Sequence, residues 1–269
     1  MYQHIDIPGK KLSYEGGDRR NSKFWNEGKW NTFINPLIPE ETLDLPFLEI
    51  GSNSGLFLKM AEEKGFRHVF GVERQEDRQK TAEWYRESIG GKFKVIKESM
   101  NANFDWSQLP RLGVTLISNT HYYMPINDFA ETVNSLRNRT VYCIIVSANG
   151  STRSGRVAHE KEVIDGYFKD WTEVGVIKDI SMEGDPSQRE GMYGVIFKSN
   201  LEIYEIEKWE WPERSLRYLE YKKELAEDIM KNGIKDLIYF DSQGRLKDGI
   251  SRLSIAKALG YKNVIIKRI

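Results

Sequence analysis

The stretch Pro46-Phe47-Leu48-Glu49-Ile50-Gly51-Ser52-Asn53-Ser54-Gly55-Leu56-Phe57-Leu58 constrains this chain more than any other. An apolar run closes on Glu49 and Ile50, passes through two glycines, and resumes as an amphipathic segment over 56–64. That is the pattern of a strand, a tight turn and a helix. Glycine is needed where backbone takes positive φ or approaches a ligand closely, and Gly51 and Gly55 stand where strand passes to helix. Dinucleotide folds carry G-x-G-x-x-G there, with the helix start facing a pyrophosphate. Here Asn53 takes the place of the middle glycine and Glu49 precedes the first, so a ligand without phosphates fits better.

The next apolar run, 68–73, closes on a second carboxylate, Glu73. It lies about 20 residues beyond the turn, where α/β folds place the acid that binds ribose hydroxyls. Taken alone, the two features also fit an ordinary glycine-rich turn followed by a chance acid. The E-x-G-x-x-x-G pattern resembles motif I of the class I S-adenosylmethionine-dependent methyltransferases. The resemblance implies S-adenosylmethionine as cofactor, with the loop backbone against its methionine part and Glu73 on its ribose. The implied cofactor set is Glu49, Gly51, Ser52, Asn53, Gly55, Glu73, Arg74, Ser99, Met100 and Asn119. Ser99 and Met100 stand in the segment that contacts adenine in that family, although the aspartate common there is missing.

Further strands are expected over 93–96, 114–118, 141–146, 172–180 and 193–199, with helices over 76–88 and 126–136. The run 141–146 is apolar on both faces, as a central parallel strand should be. The implied fold class is α/β, a Rossmann-like seven-stranded methyltransferase sheet with a small C-terminal α+β module. Residues 1–45 are expected to form a lid or cap, 46–200 the methyltransferase domain, and 201–269 the module. Trp25 and Trp30, in the polar first segment, are candidates for closing over the cofactor or stacking on an acceptor.

Chemistry in α/β folds sits beyond the carboxyl ends of parallel strands. The fourth strand runs into Asn119-Thr120-His121-Tyr122-Tyr123-Met124-Pro125. An imidazole titrates near neutrality, so His121 is expected to take a proton from an acceptor hydroxyl while Tyr122 or Tyr123 orients it. His159, expected on a helix with Glu160, Glu162 and Asp165, is a second candidate base in the acceptor site.

The tail has a different texture. A strand over 201–206, a charged helix from Ser215 to about Lys231 and a strand over 237–240 precede Asp248-Gly249-Ile250-Ser251-Arg252-Leu253, which opens a helix ending in Ala258-Leu259-Gly260. This run resembles the phosphate-binding segment of the ParB/sulfiredoxin-like fold. It implies that Asp248, Gly249, Ser251 and Arg252 hold a phosphate, though Ile250 and Ser251 replace histidines frequent in that family. Arg245, Lys247, Arg252, Lys257, Lys262, Lys267 and Arg268 face a single acid, Asp248, in this segment. That balance suits a phosphorylated small molecule, or less readily a nucleic-acid backbone.

Elsewhere charge gives no steer, because 40 basic and 40 acidic residues cancel in a chain of 269. The lone Cys143 lies in an apolar run and metal-binding C-x-x-C spacings are absent. No signal-like start and no apolar run of the roughly 18 residues a membrane span needs is present, so a cytoplasmic protein is expected. The expected activity is O-methylation of a small acceptor bearing a phosphate, sugar or nucleotide. Nucleic-acid methylation is the alternative, against which the fourth strand lacks an N-P-P-Y or D-P-P-Y tetrapeptide and Cys143 lacks a preceding proline. A nicotinamide oxidoreductase and a non-catalytic nucleotide sensor or scaffold are the other readings.

Overall fold

The structure, a computed structural model, describes residues 23–147, 154–178, 192–209 and 221–269. Helix α1 (Lys23–Lys29) and short helical turns lead into β1 (Phe47–Ile50), after which strands and helices alternate. The succession is α2 (Leu56–Lys64), β2 (Val69–Val72), α3 (Glu76–Ile89), β3 (Lys94–Ile96), β4 (Leu112–Ser118), α4 (Ile126–Arg137), β5 (Thr140–Ser147), α5 (Lys161–Tyr167), β6 (Thr172–Lys178) and β7 (Tyr193–Lys198). The seven strands lie in the order β3-β2-β1-β4-β5-β7-β6, with β7 antiparallel to both neighbours. This is the expected Rossmann-like sheet with its closing hairpin.

The pattern follows from burial. Strands β1, β2 and β5 are buried at every position, because helices cover both faces of a parallel sheet. Phe33, Phe47, Phe57, Leu116 and Ile144 fill one face, and Ile50, Val72, Phe129, Ile145 and Phe197 the other. Cys143 is buried among the second set, and its thiol is pushed up by desolvation.

The tail forms a second sheet in the order β10-β9-β11-β8, from β8 (Glu202–Glu205), β9 (Ile238–Phe240), β10 (Leu246–Asp248) and β11 (Asn263–Arg268). Helices Lys223–Asn232 and Ile250–Ala258 pack on it through a separate core that includes Ile229, Ile238, Phe240, Leu253 and Ile266. The expected strands over 201–206 and 237–240 are present, whereas β10 and β11 were not foreseen; the expected helix start at Ser215 lies outside the described residues.

Because β7 runs backwards, it delivers the chain to the amino ends of the parallel strands, and there the tail docks. Arg111, just before β4, donates its backbone N–H to Ile234 O at 2.8 Å and its Nε to Lys235 O at 2.9 Å. Lys94 at the start of β3 reaches Lys231 O and Asn232 Oδ1. His68, just before β2, meets Tyr261 Oη at 2.8 Å, and Lys262 N–H donates to Asp44 Oδ2 at 2.6 Å before β1.

Candidate functional site

At the opposite, carboxyl end of the sheet, the β1–α2 turn folds back on β2. The N–H groups of Gly51 and Ser52 both donate to Val72 O, at 2.8 and 3.2 Å. Gly51 has φ +76°, and a Cβ there would lie 2.4 Å from Thr120 Oγ1, so the turn and the β4 tail close on each other only at a glycine. Asn53 also takes positive φ, at 51°, which asparagine tolerates better than most residues.

Glu73 is 4% exposed at the end of β2 and accepts two backbone hydrogen bonds. Oε2 receives Asn53 N–H and Oε1 receives Gln75 N–H, each at 2.9 Å. The carboxylate is therefore fixed beside the glycine turn, with a lone pair on each oxygen left for a further donor. Glu49 is 1% exposed on β1. Burial pushes its carboxyl well above the usual range; the charge of Lys29 opposes this and that of Glu73 adds to it.

Buried polar atoms seldom lack partners. Around this turn Glu49 Oε2, Ser52 Oγ, Asn53 Oδ1 and Ser118 Oγ all do. These groups can take up ammonium and hydroxyl donors, so the site suits an adenosyl amino acid by its chemistry. Asn119, with φ +52°, ties the end of β4 to β5 by donating its N–H to Val146 O. Arg74 and Ser99 are exposed at the rim, while Met100 is 8% exposed within the core beside Ile50 and Val72. The place where an adenine contact is expected thus presents an exposed Ser99 and a buried Met100. Trp30, expected to stack on a ligand, is 5% exposed and packs on Phe57 with ring centroids 5.9 Å apart. Trp25's side chain lies outside the described residues.

The β4 tail assembles what the sequence offered as separate candidates. Ser147 Oγ, at the end of β5, lies 3.2 Å from His121 Nε2, 3.4 Å from His159 Nδ1 and 3.3 Å from His159 O. Tyr193, paired with Ser147 across β5 and β7, donates its hydroxyl to His159 O at 2.9 Å. The Tyr122 ring packs against both imidazoles and Tyr123, with centroids 5.3, 4.2 and 4.5 Å away. His121 is 0% exposed, and burial together with His159 lowers its pKa to about 3. An imidazole so placed is a weak base with no surface for an acceptor, so here it buttresses Tyr122 instead of meeting a substrate. Tyr122 and Tyr123 are the half-buried members of the group. Ser147 and Tyr193 escaped sequence reasoning, although Ser147 ends an apolar strand where chemistry is expected.

The tail candidates stand apart from these groups. Strand β1, which runs from one end to the other, spans four residues, or roughly 13 Å. Arg252 pairs with Asp248 at 2.9 Å and Asp236 at 3.5 Å, while Asp248 Oδ1 accepts Gly249 N–H. Gly249 takes φ +99° against Ile238, and Ser251 is half-buried in the first turn of the helix. Arg245 and Lys247 bind Asp241, and Arg268 binds Glu202, so much of the tail's positive charge is locally neutralised. Among the described residues no cluster of three metal-ligating side chains occurs, and no helix is long and apolar enough to cross a membrane.

No protein-family model and no curated protein matches the chain. Among solved structures it resembles the PH0226 protein from Pyrococcus horikoshii OT3, with TM-score 0.51 and 15% identity over 66% of this chain and 92% of that one. It is equally similar to the N-methyltransferase NodS from Bradyrhizobium japonicum WM9 in complex with S-adenosyl-L-homocysteine, with TM-score 0.51, 15% identity, and 66% and 88% of the two chains covered. The glycopeptide N-methyltransferase MtfA complexed with S-adenosyl-L-homocysteine gives TM-score 0.50 and 12% identity over 64% and 89%. At these identities the likeness is one of fold.

Proposed function

We propose that this chain is an S-adenosylmethionine-dependent methyltransferase acting on an oxygen of a small acceptor that bears a phosphate, sugar or nucleotide group. The observation that carries the cofactor half is Glu73, a buried carboxylate set by two backbone N–H groups beside a turn whose Glu49, Ser52 and Asn53 oxygens lack partners. In this reading Glu73 accepts the ribose hydroxyls, Gly51 and Gly55 let backbone approach, and Asn119 borders the cofactor. Arg74 and Ser99 stand at its rim. The bound cofactor supplies an electrophilic methyl group on a sulfonium.

The protein's own contribution is to hold the acceptor oxygen in line and keep water away. Tyr122 and Tyr123 face the acceptor, held from behind by His121, Ser147 and His159. The missing N-P-P-Y-like tetrapeptide after β4 favours oxygen over a nucleobase amine as acceptor. Asp248, Gly249, Ser251 and Arg252, at the other end of the sheet, bind an anion of their own and not the acceptor seated by Tyr122.

Calorimetric titration with S-adenosylmethionine, S-adenosylhomocysteine and NAD tests the cofactor half. Micromolar binding of the first two, weakened at least about tenfold in Glu73→Gln, is expected from losing a charge-assisted hydrogen bond. Binding of NAD alone would turn the assignment toward a nicotinamide enzyme. Product formation with phosphorylated, glycosyl and nucleotide acceptors then tests the rest.

A further inference from the structure

One guanidinium at the carboxyl end of the sheet has no counter-charge. Arg156 lies between β5 and His159, and its backbone forms an antiparallel bridge with Pro125, at the end of the β4 tail. Its Nη1 donates to Tyr123 O at 2.9 Å. The two contacts hold the guanidinium beside the Tyr122–Tyr123 pair. The residue is half-buried, yet among the described residues no carboxylate pairs with it. The acids of the segment that follows are already taken, because Asp165 and Glu173 both bind Lys161.

Other arginines without an ion pair spend more of their binding capacity on the protein. Arg111 bonds Lys235 O and Asn138 O, while Arg139 bonds Trp106 O and lies 5.5 Å from the centre of the same residue's ring. Arg156 uses one of the five N–H donors of its planar fork. Half-burial strips a guanidinium of part of its hydration, and here the protein returns no charge for it. An oxyanion restores the balance, since a guanidinium grips phosphate or carboxylate through two parallel hydrogen bonds. Pro125 and Ile126 are exposed at this point, and the half-buried rings of Tyr122 and Tyr123 lie 4.5 Å apart. A ligand that meets all of these carries an anionic group on a flat, partly apolar body.

We infer that Arg156 binds a phosphate or carboxylate of the methyl acceptor, whose ring lies against Tyr122 and Tyr123, so that the site selects an anionic small molecule. The inference rests on the acceptor reading above and names the residue that discriminates within it. Arg156 takes no proton and fixes only which molecule is held. The probes are phenyl phosphate, benzoate and phenol, which share a ring and differ in charge. Each is titrated calorimetrically into the full chain and into Arg156→Met and Arg156→Lys, and S-adenosylhomocysteine is titrated into all three.

The wild type should bind phenyl phosphate or benzoate at least about tenfold more tightly than phenol, and the tighter of the two identifies the oxyanion. Arg156→Met should erase that preference while S-adenosylhomocysteine binds as in the wild type. Arg156→Lys, which keeps the charge but not the fork, should recover part of the loss. Unchanged melting curves show that the variants are folded, and should Arg156→Met not fold, the preference in Arg156→Lys decides. No preference for either anion in the wild type, or one that survives undiminished in the variants, would overturn the assignment while S-adenosylhomocysteine binding keeps the cofactor reading intact. A preference that depends on Arg156 in a chain that does not bind S-adenosylhomocysteine would instead sink the cofactor reading and, with it, the claim that the anion is a methyl acceptor.

Discussion

Acidification should loosen the tail from the sheet through one histidine. His68 sits at the docking surface, where burial first, then Arg67 and Lys94, lower its pKa from 6.5 to about 4. Tyr261 gives its hydroxyl proton to Ile229 O at 3.1 Å, so His68 must donate from Nε2 across the 2.8 Å contact to the tyrosine oxygen. The Arg67 guanidinium lies 3.9 Å over the Tyr261 ring and also binds Leu259 O, so a second cation on His68 is unwelcome. The unfolded chain takes up this proton near pH 6.5 and the native chain only near pH 4. Stability is therefore complete above about pH 6.5 and is lost as pH falls toward 4. At about 1.4 kcal/mol per tenfold change, the difference between pH 7.5 and pH 5 is about 2 kcal/mol before screening, and roughly 1–1.5 kcal/mol after allowing for the ring's partial exposure. For a chain of this size that is a shift of about 3–5 °C in Tm. His68→Gln retains a donor to Tyr261 without titrating. Melting curves of the wild type and this variant at the two pH values isolate the effect, because His121, which carries the same sign, remains in both. Protection factors at the Lys262 and Asn263 amides, which bind Asp44, should fall between pH 7.5 and pH 5 in the wild type alone. Parallel melting curves for the two proteins would refute the reasoning.

Three further outcomes follow from the site. Gly51→Ala combines a positive φ with a Cβ 2.4 Å from Thr120 Oγ1, so denaturant melts should show a loss of about 2–4 kcal/mol together with loss of S-adenosylhomocysteine binding; wild-type stability would show that the turn yields easily. Glu49→Gln removes a carboxyl that burial keeps protonated above its usual range, so native wild type loses stability as pH climbs from about 4.5 toward that raised value while the variant does not. The variant should gain on wild type with rising pH yet bind cofactor more weakly, and stability curves of equal slope would contradict the buried-carboxyl account. Ser147→Ala strips His121 and His159 of a shared hydroxyl partner and should cost about 1–3 kcal/mol and lower turnover of an identified acceptor, with cofactor affinity unchanged in calorimetry.

The sheet was legible where local composition decides the structure. The run from Val141 to Val146 is buried on both faces and reads as continuous apolar sequence, and the β1 and β2 runs each end in the glycine or acid that the turn requires. Strand β10 has three residues and β11 reads Asn-Val-Ile-Ile-Lys-Arg; what makes them strands is pairing with β9 and β8, which no local pattern announces. The site was legible in part for the same reason. His121 and His159 each stood out by residue type, but only the register of β5 with β7 brings Ser147 and Tyr193 between them. Trp30 and Met100 look like ligand platforms by type, and their inward faces are fixed by Phe57 and by the β1–β2 surface. Arg156 carried no signal at all, since an arginine in a polar loop is usually solvated.

The place of the tail follows from one strand direction. A chain leaving a parallel strand would emerge at the carboxyl end, over the cofactor turn, where a basic module would serve as a lid. Strand β7 is antiparallel, so the chain emerges at the amino end and β8 begins there. The docking groups bear this out: Asp44, His68, Lys94 and Arg111 stand at the starts of β1, β2, β3 and β4, and each meets the tail. The tail therefore braces the strand starts from below, and the carboxyl ends that carry Glu49, Glu73 and Tyr122 are left to α1 and to the loops. A basic segment read from sequence as a phosphate-binding module is, by topology, a base plate. Arg252, paired with Asp248 and Asp236, stands on that plate at the far end of the strands from the glycine turn.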